Sequence, residues 1–333
     1  MGRLVAVFGQ PPVIGEVLSG ILLGPSLLGL IAPAAESFLF PAVVRPPLGV
    51  VAQTGVVLYM FLVGLEFDTG LLKQRAAHLI VTSQASILAP FLLGAGLGLA
   101  MHDAFAPDGE SPMVFALFMG VAMSITAFPV LARILTDRGL ARTELGAAAL
   151  TCAAINDVMA WCLLALVVGA TRAMPKGAVP GELVIAFALG VVVPHRSRFA
   201  ETASRWLRGI VMVGLLPAFF ALTGLRTEIG LISTAREWVA CLAIILIATA
   251  GKFGGAALAG RLMGMTWRFA AQLGALLNTR GLMELVVLTV GLDAGLITPT
   301  VFTMMVIMAL VTTAMTTPML DLFGPLIPQE RRQ

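Results

Sequence analysis

The chain carries a single acid in the middle of an apolar helical stretch. Asp157 lies in TCAAINDVMAWCLL, and no basic residue lies within one turn of it. An ionisable residue inside a membrane helix is costly unless it faces a partner or water, and such residues mark ion and proton pathways. Lys252, in the apolar stretch IATAGKFGGAAL, is the predicted basic counterpart on another helix. The chemistry predicted here is the binding of a proton or a cation by one carboxylate.

Three other acids and one other base remain inside or at the edge of apolar stretches. Arg280 and Glu284 are four residues apart, so they share a helical face and are predicted to form an ion pair as supporting charges. Glu16 follows two prolines that open a helix, where the helix dipole favours a carboxylate. Glu66 lies at a predicted helix end and is interpreted as an interface residue.

Two apolar stretches contain polar interruptions. In MSITAFPVLARIL, Pro129 has no amide hydrogen and is predicted to free the carbonyl of Ile125, while Ser124 and Thr126 add hydroxyl oxygens. Unwound backbone of this kind offers oxygen ligands to a dehydrated small cation, and a plain proline kink is the alternative. The second interruption, NTRG, includes Asn278, Thr279 and Gly281.

Composition identifies the elements that must position these residues. The chain of 333 residues is 59% hydrophobic and 12% charged, against roughly 25% charged residues in an average soluble domain. A helix needs about 20 apolar residues to cross a bilayer, and apolar blocks of about this length recur along the chain. The ten blocks cover residues 12–31, 47–66, 78–101, 112–135, 143–170, 180–194, 209–226, 237–259, 268–292 and 298–320, and the sixth is short. The sequence predicts one all-α polytopic membrane domain.

The basic residues outside the apolar blocks are distributed unevenly. With ten helices, 14 of them lie on one side of the membrane and five on the other. This bias predicts cytoplasmic termini in a multi-pass protein of the cell inner membrane. The net charge of +3 comes from these loops, so it indicates membrane topology rather than a surface that binds nucleic acid. The three cysteines and three histidines form no metal-ligand pattern. No catalytic triad or phosphate loop occurs, so neither an enzyme nor a cofactor is predicted.

The two interruptions fall in the fourth and the ninth block, which are corresponding positions in two sets of five. Because five is odd, the second set starts from the opposite face, and inverted repeats with a midplane site are typical of secondary transporters. The predicted layout is a first repeat over residues 1–170, a linker over 171–179, a second repeat over 180–320 and a cytoplasmic tail over 321–333.

Seven stretches, taken together, resemble the monovalent cation:proton antiporter-2 family, which includes bacterial Na+/H+ antiporters, Kef-type potassium efflux proteins and plant cation/proton exchangers. They are GQPPVIGEVLSGILLGPSLLG, FLVGLEFD, SITAFPVLARIL, AAINDVMAW, LPAFFALTGLRTEIG, GKFGG and NTRGLMELVVLTVGL. The resemblance implies a Na+/H+ antiporter-like fold of two inverted five-helix repeats with two broken, crossed helices. It also implies an ion-carrying core that moves like an elevator against a dimer-forming domain, and exchange of Na+ or K+ for H+ across the lipid bilayer.

The resemblance also implies roles for single residues. Asp157 would bind the cation or the proton, Asn156 would be its neighbour in a two-residue motif, and Lys252 would face them from another helix. Thr126 and its neighbours would cross the NTRG segment. A bare carboxylate is costly in a low-dielectric cleft, so Asp157 is expected to carry either a proton or a cation, which amounts to antiport. Asn156 cannot titrate, which by resemblance favours electroneutral exchange.

The chain differs from the family pattern at two places. It starts at the end of a helix that usually precedes GQPPVIGE, and about two helices are missing between the Asn-Asp helix and the segment GVVVP. The missing helices would belong to the dimer-forming domain, so homodimer formation is left open. A sodium-coupled organic-anion symporter of ten helices and a truncated, non-transporting membrane protein remain alternatives.

Overall fold

The fold of the chain is helical. The structure, a computed structural model, describes residues 12–41, 43–66, 77–170, 185–186, 189–190, 192–193 and 198–323. Its helices are α1 (Pro12–Leu23), α2 (Leu28–Ile31), α3 (Pro33–Leu39), α4 (Arg45–Glu66), α5 (Ala77–Phe105), α6 (Pro112–Ser124), α7 (Phe128–Asp137), α8 (Glu144–Ala170), α9 (Arg198–Ile210), α10 (Leu216–Arg226), α11 (Ala235–Thr249), α12 (Gly255–Leu262), α13 (Trp267–Leu277), α14 (Leu282–Asp293) and α15 (Pro299–Leu322). The π-helical segments Val211–Leu215 and Ala250–Gly254 join α9 to α10 and α11 to α12, and a 3-10 turn covers Ile229–Leu231.

The predicted membrane helices are confirmed in part. Within the described ranges, seven helices are long and apolar enough to cross a membrane, or eight if the bent pair α13 and α14 forms one span. A shorter apolar helix covers Pro46–Leu62. The linker 171–179 and nearly all of the sixth predicted block, 180–194, lie outside the described residues, as do the Glu66 side chain and most of the predicted tail. The layout of ten helices in two repeats therefore stays a prediction.

Local sequence explains where several helices begin. Pro112 and Pro299 occupy the first turns of α6 and α15, where a missing amide hydrogen costs nothing. Thr234 and Glu237 form a capping box at the start of α11, in which each side chain accepts a hydrogen bond from the other's backbone. These signals lie at the starts of apolar blocks, so they set the ends of the spans.

The helices form two bundles. The scaffold bundle consists of α1, α4, α9 and α10, and the core bundle consists of α5 to α8 and α11 to α15. In the scaffold, α1 crosses α10 so closely that a Cβ on Gly20 would lie 2.4 Å from the carbonyl oxygen of Ala221. The bundles share few contacts, one of them an ion pair between Arg226 of α10 and Asp293 of α14 with an N–O distance of 3.0 Å. Asp157, Lys252 and both helix interruptions lie in the core.

The first interruption differs in position from the prediction. α6 ends at Ser124, the backbone is extended at Ile125 and Ala127, and α7 begins at Phe128. The prediction of unwound backbone at Pro129 is wrong, because Pro129 lies in the first turn of α7. Its fixed φ and missing amide hydrogen suit that position, so the proline starts the second half-helix instead of kinking a continuous one.

Candidate functional site

The two interruptions lie against each other. The amide of Ala127 donates to the carbonyl oxygen of Thr279 at 3.0 Å, and the hydroxyl of Thr126 donates to the carbonyl oxygen of Leu277 at 3.2 Å. α13 and α14 differ in direction by 45° on either side of this contact. Each unwound segment thus satisfies backbone groups of the other, which is what irregular backbone at membrane depth requires. The crossed pair of broken helices is present in the structure.

The C-terminal end of α6 is capped by side chains from three places in the chain. The acceptors are the carbonyl oxygens of Val121, Ala122, Met123 and Ser124. The hydroxyl of Ser124 donates to the first at 2.8 Å. Arg280 donates from Nη1 to the carbonyl oxygen of Ala122 at 3.2 Å and from Nη2 to that of Met123 at 2.7 Å. Nζ of Lys252 donates to the carbonyl oxygen of Ser124. Two basic side chains therefore face the carbonyl end of α6, and together with Ser124 they leave none of its last four carbonyls without a partner.

Arg280 and Glu284 form the ion pair that the sequence predicts. Nη1 of Arg280 lies 3.1 Å from Oε2 of Glu284, and both side chains are fully buried. Glu284 lies in the first turn of α14, where the positive end of the helix favours a carboxylate. The sequence did not predict that Arg280 also caps α6, because its acceptors are main-chain carbonyls 157 and 158 residues away.

Asp157 lies on α8 within the core bundle, and only 3% of its surface is exposed. Neither carboxylate oxygen has a hydrogen-bond partner among the described residues. Lys252 and the backbone amide of Phe128, at the start of α7, lie close enough to interact with it electrostatically. The hydrogen bond of Lys252 goes to α6, however, so the predicted facing pair is close without being joined. A buried carboxylate in this setting requires a proton or a cation.

The fully buried side chain of Asn156 lies among three hydroxyl groups. One end of its amide lies 2.8 Å from Ser83 Oγ, and the other lies 3.0 Å from Ser86 Oγ and from Thr126 Oγ1. All three neighbours are retained if the amide is turned over. Asn156 therefore ties α8 to α5 and to the first interruption. Ser83 and Ser86 were not among the predicted site residues, although two serines three residues apart in an apolar helix were a usable signal.

The second interruption is held from the side of α15. The hydroxyl of Thr279 lies 3.2 Å from that of Thr316, and the hydroxyl of Thr313 bonds the backbone of Arg280. Asn278 is fully buried, and its side-chain amide has no hydrogen-bond partner within the described part of the chain. A Cβ on Gly281 would lie 2.6 Å from Cγ2 of Val130, so this glycine permits close packing of α14 on α7. The threonines of VTTAMTT, four apart in an apolar helix, were a signal that the sequence analysis missed.

A cavity of about 530 Å³ lies between the two bundles, lined by α4, α10 and α14. Most of its wall is apolar, and its polar side chains include Gln53, Thr223 and Thr289 together with the Arg226 and Asp293 pair. Along α14 the cavity reaches Val286, which lies two residues C-terminal to the buried Glu284. It therefore lies beside the half-helix that follows the second interruption.

Comparison with protein families gives one match over nearly the whole chain. The model described as "Sodium/hydrogen exchanger, transmembrane" matches residues 1–185 and 179–322. The two matched parts meet where the sequence predicts missing helices. This agrees with a chain that is shortened between its two halves.

Individual proteins are similar over most of the chain. Identity to the Na+/H+ antiporter NhaS4 of Synechocystis sp. is 39%, covering 96% of this chain and 92% of that protein. Identity to the K+/H+ antiporter 1 of Saccharomyces cerevisiae is 31%, covering 95% of this chain but 44% of that protein, so the chain spans less than half of the yeast relative. In fold, the chain is similar to the sodium proton antiporter MjNhaP1 of Methanocaldococcus jannaschii, with a TM-score of 0.63 over 94% of this chain and 92% of that one at 14% identity.

Proposed function

Since the chain belongs to the sodium/hydrogen exchanger family, we propose that it exchanges a monovalent cation, Na+ or K+, for protons across a membrane. It is a multi-pass membrane protein of a transporter family and not an enzyme. The relatives support both cations as candidates, because one is a Na+/H+ antiporter and another a K+/H+ antiporter.

The observation that supports this function most directly is the environment of Asp157. The carboxylate is buried, has no hydrogen-bond partner within the described ranges, and lies near the amide that opens α7. A bare carboxylate is costly in such a setting, so Asp157 holds either a proton or a cation. Because the two ligands compete for one carboxylate, the arrival of one releases the other, and alternate exposure to the two sides of the membrane then yields antiport.

We assign electroneutral stoichiometry to this exchange. Asn156, the neighbour of Asp157, has no titratable group, so one proton is exchanged for one cation at the pair. The contacts of Asn156 with Ser83, Ser86 and Thr126 support a role in holding the site together. Direct binding of the cation by Asn156, Thr126 or Ser124 is part of the proposal.

The division into two bundles supports alternating access. The core and the scaffold share few contacts, and a cavity of about 530 Å³ already separates them near α14. We propose that the core moves against the scaffold and that this cavity is the vestibule on the non-cytoplasmic side. The proposal includes ten helices in two inverted repeats, divided at residues 171–179, and cytoplasmic termini in the cell inner membrane.

Exchange in proteoliposomes tests the proposal. A pH gradient is imposed, and the internal pH is followed after addition of Na+ or K+ in parallel. We expect cation-dependent collapse of the gradient with the parent protein and none with Asp157→Asn. No collapse above that of protein-free vesicles with either cation would overturn the proposed function, and undiminished exchange in Asp157→Asn would overturn the assignment of the site.

A further inference from the structure

The threonines of α15 use their hydroxyl groups in two different ways. Thr312 donates to the carbonyl oxygens of Met308 and Ala309 within its own helix, at 2.8 and 3.2 Å, as threonines in helices commonly do. Thr313 directs its hydroxyl to another segment. It accepts a hydrogen bond from the amide of Arg280 at 3.0 Å and donates one to the carbonyl oxygen of the same residue at 2.8 Å. One side chain therefore satisfies both backbone groups of Arg280.

These two hydrogen bonds matter because Arg280 lies outside the helices, so its backbone amide and carbonyl have no partner within a helix. The residue lies in the interruption between α13 and α14, and it is fully buried. Its guanidinium caps two carbonyls of α6 and pairs with Glu284. The position of the guanidinium depends on the backbone from which it extends, so Thr313 on α15 fixes the geometry of the α6 end through Arg280.

The bond between Thr313 and Arg280 also lies where the two bundles meet. A void of about 10 Å³ is lined by Arg280 and Thr313 on the core side and by Ile14 and Val17 of α1 on the scaffold side. Without Thr313, the unpaired amide and carbonyl of Arg280 would border this apolar contact with α1. A side chain from the core that satisfies both groups keeps the interruption within the core while the bundles move.

Resting on the proposed function, we propose that Thr313 is a positioning residue for cation exchange, which acts by holding the backbone of Arg280. It does not touch the transported ion. It holds the segment whose arginine neutralises the end of α6, beside Lys252 and the crossed interruptions. Thr316, paired with the hydroxyl of Thr279 at 3.2 Å, supports the same segment one turn further along α15.

The test compares matched substitutions of neighbouring threonines. Thr313→Val keeps the shape and removes both hydrogen bonds, Thr313→Ser keeps them, and Thr312→Val removes only bonds within α15. We expect Thr313→Val to raise the apparent KM for the cation by about tenfold, since it leaves two buried backbone groups unpaired. Thr313→Ser and Thr312→Val are expected to stay within about twofold of the parent. Thr313→Cys has a weak S–H donor, so its KM should lie between those of the serine and valine variants. It provides the comparison if the valine variant does not fold.

Hydrogen–deuterium exchange provides a readout that does not depend on transport. Thr313→Val should increase amide exchange across residues 278–284, whereas Thr312→Val should not. Unchanged amide protection in Thr313→Val, or a KM equal to that of Thr312→Val, overturns the proposal. A role in folding alone would lower the yield of folded protein without moving KM, and it would overturn the proposal as well. If the parent protein exchanges no cation while the protection difference is present, the proposed function fails and the hold on Arg280 stands.

Discussion

The ammonium group of Lys252 donates its hydrogen bond to the main-chain carbonyl of Ser124, the last residue of α6, and not to Asp157. Lys252 is fully buried in the π-helical segment between α11 and α12. With Arg280, it provides hydrogen-bond donors to the carbonyl end of a helix that ends inside the membrane. The base predicted to face the acid thus has a structural partner of its own, and the acid is left available for a ligand.

Removing the amine of Lys252 should destabilise the protein. Lys252→Met leaves the Ser124 carbonyl buried without a donor, and we expect a cost of about 1–3 kcal/mol in the free energy of unfolding. Arg261→Met, at an exposed position at the end of α12, is the matched control and should change stability little. Thermal unfolding in detergent compares the two. Equal shifts of the unfolding midpoint would contradict the role of Lys252 as a cap of α6.

Arg280 and Glu284 should contribute unequally although they form one ion pair. The guanidinium of Arg280 bonds two carbonyls besides Glu284, whereas Glu284 has Arg280 as its one hydrogen-bond partner among the described residues. Arg280→Met should therefore cost at least about 3 kcal/mol. Glu284→Gln retains an oxygen acceptor and should cost about 1 kcal/mol. The same thermal assay applies, and a glutamine variant as unstable as the methionine variant would show that the pair and not the cap dominates.

Asn156→Asp should make transport sensitive to voltage. The carboxylate keeps the hydrogen bond from Ser83 Oγ, and the Ser86 and Thr126 hydroxyls, which accept from the Asn156 amide, can turn to donate to it, so the fold is expected to persist. It adds a second ionisable group beside Asp157, and the charge moved per cycle then changes. Exchange is measured at imposed membrane potentials of both signs. The double variant Asn156→Asp, Asp157→Asn keeps one acid in the displaced position and serves as control, and rates of Asn156→Asp that do not respond to potential would refute the stoichiometry argument.

Gly281→Ala should weaken the packing of α14 on α7. The added methyl group would meet Cγ2 of Val130 at 2.6 Å, while the φ of Gly281 is 166°, which is extended backbone that any residue adopts. The cost, about 1–3 kcal/mol, is therefore steric. Val130→Ala in the same protein should restore much of the lost stability. If the second substitution brings no recovery in thermal unfolding, the contact between these two residues is not the cause.

Parts of the site that depend on short-range spacing were predictable. Arg280 and Glu284 are four residues apart, and they form the predicted ion pair. Both interruptions were visible as polar residues in apolar blocks. The first interruption lies before Pro129 and not at it, because a proline is as compatible with the start of a half-helix as with a kink within a longer helix.

Contacts between distant segments were not predictable in the same way. The carbonyls that receive Arg280 and Lys252 belong to the main chain, which has the same groups at every residue. The hydroxyls of Ser83, Ser86 and Thr313 belong to common residue types, whose roles depend on which helix they face. Their spacing was a signal of helix packing but did not identify the partner.

The sequence by itself determined that this is a helical membrane protein with a few charges retained among its apolar segments. Lipid requires long apolar runs and penalises every unpaired charge, so both features are visible before any contact is known. What each polar group does depends on the packed bundle: Lys252 and Arg280 cap α6, and the Asp157 carboxylate lies near Lys252 and the Phe128 amide without a side-chain hydrogen bond among the described residues. These assignments depend on which helix ends meet at membrane depth, and that is a property of the packed bundle rather than of any single segment.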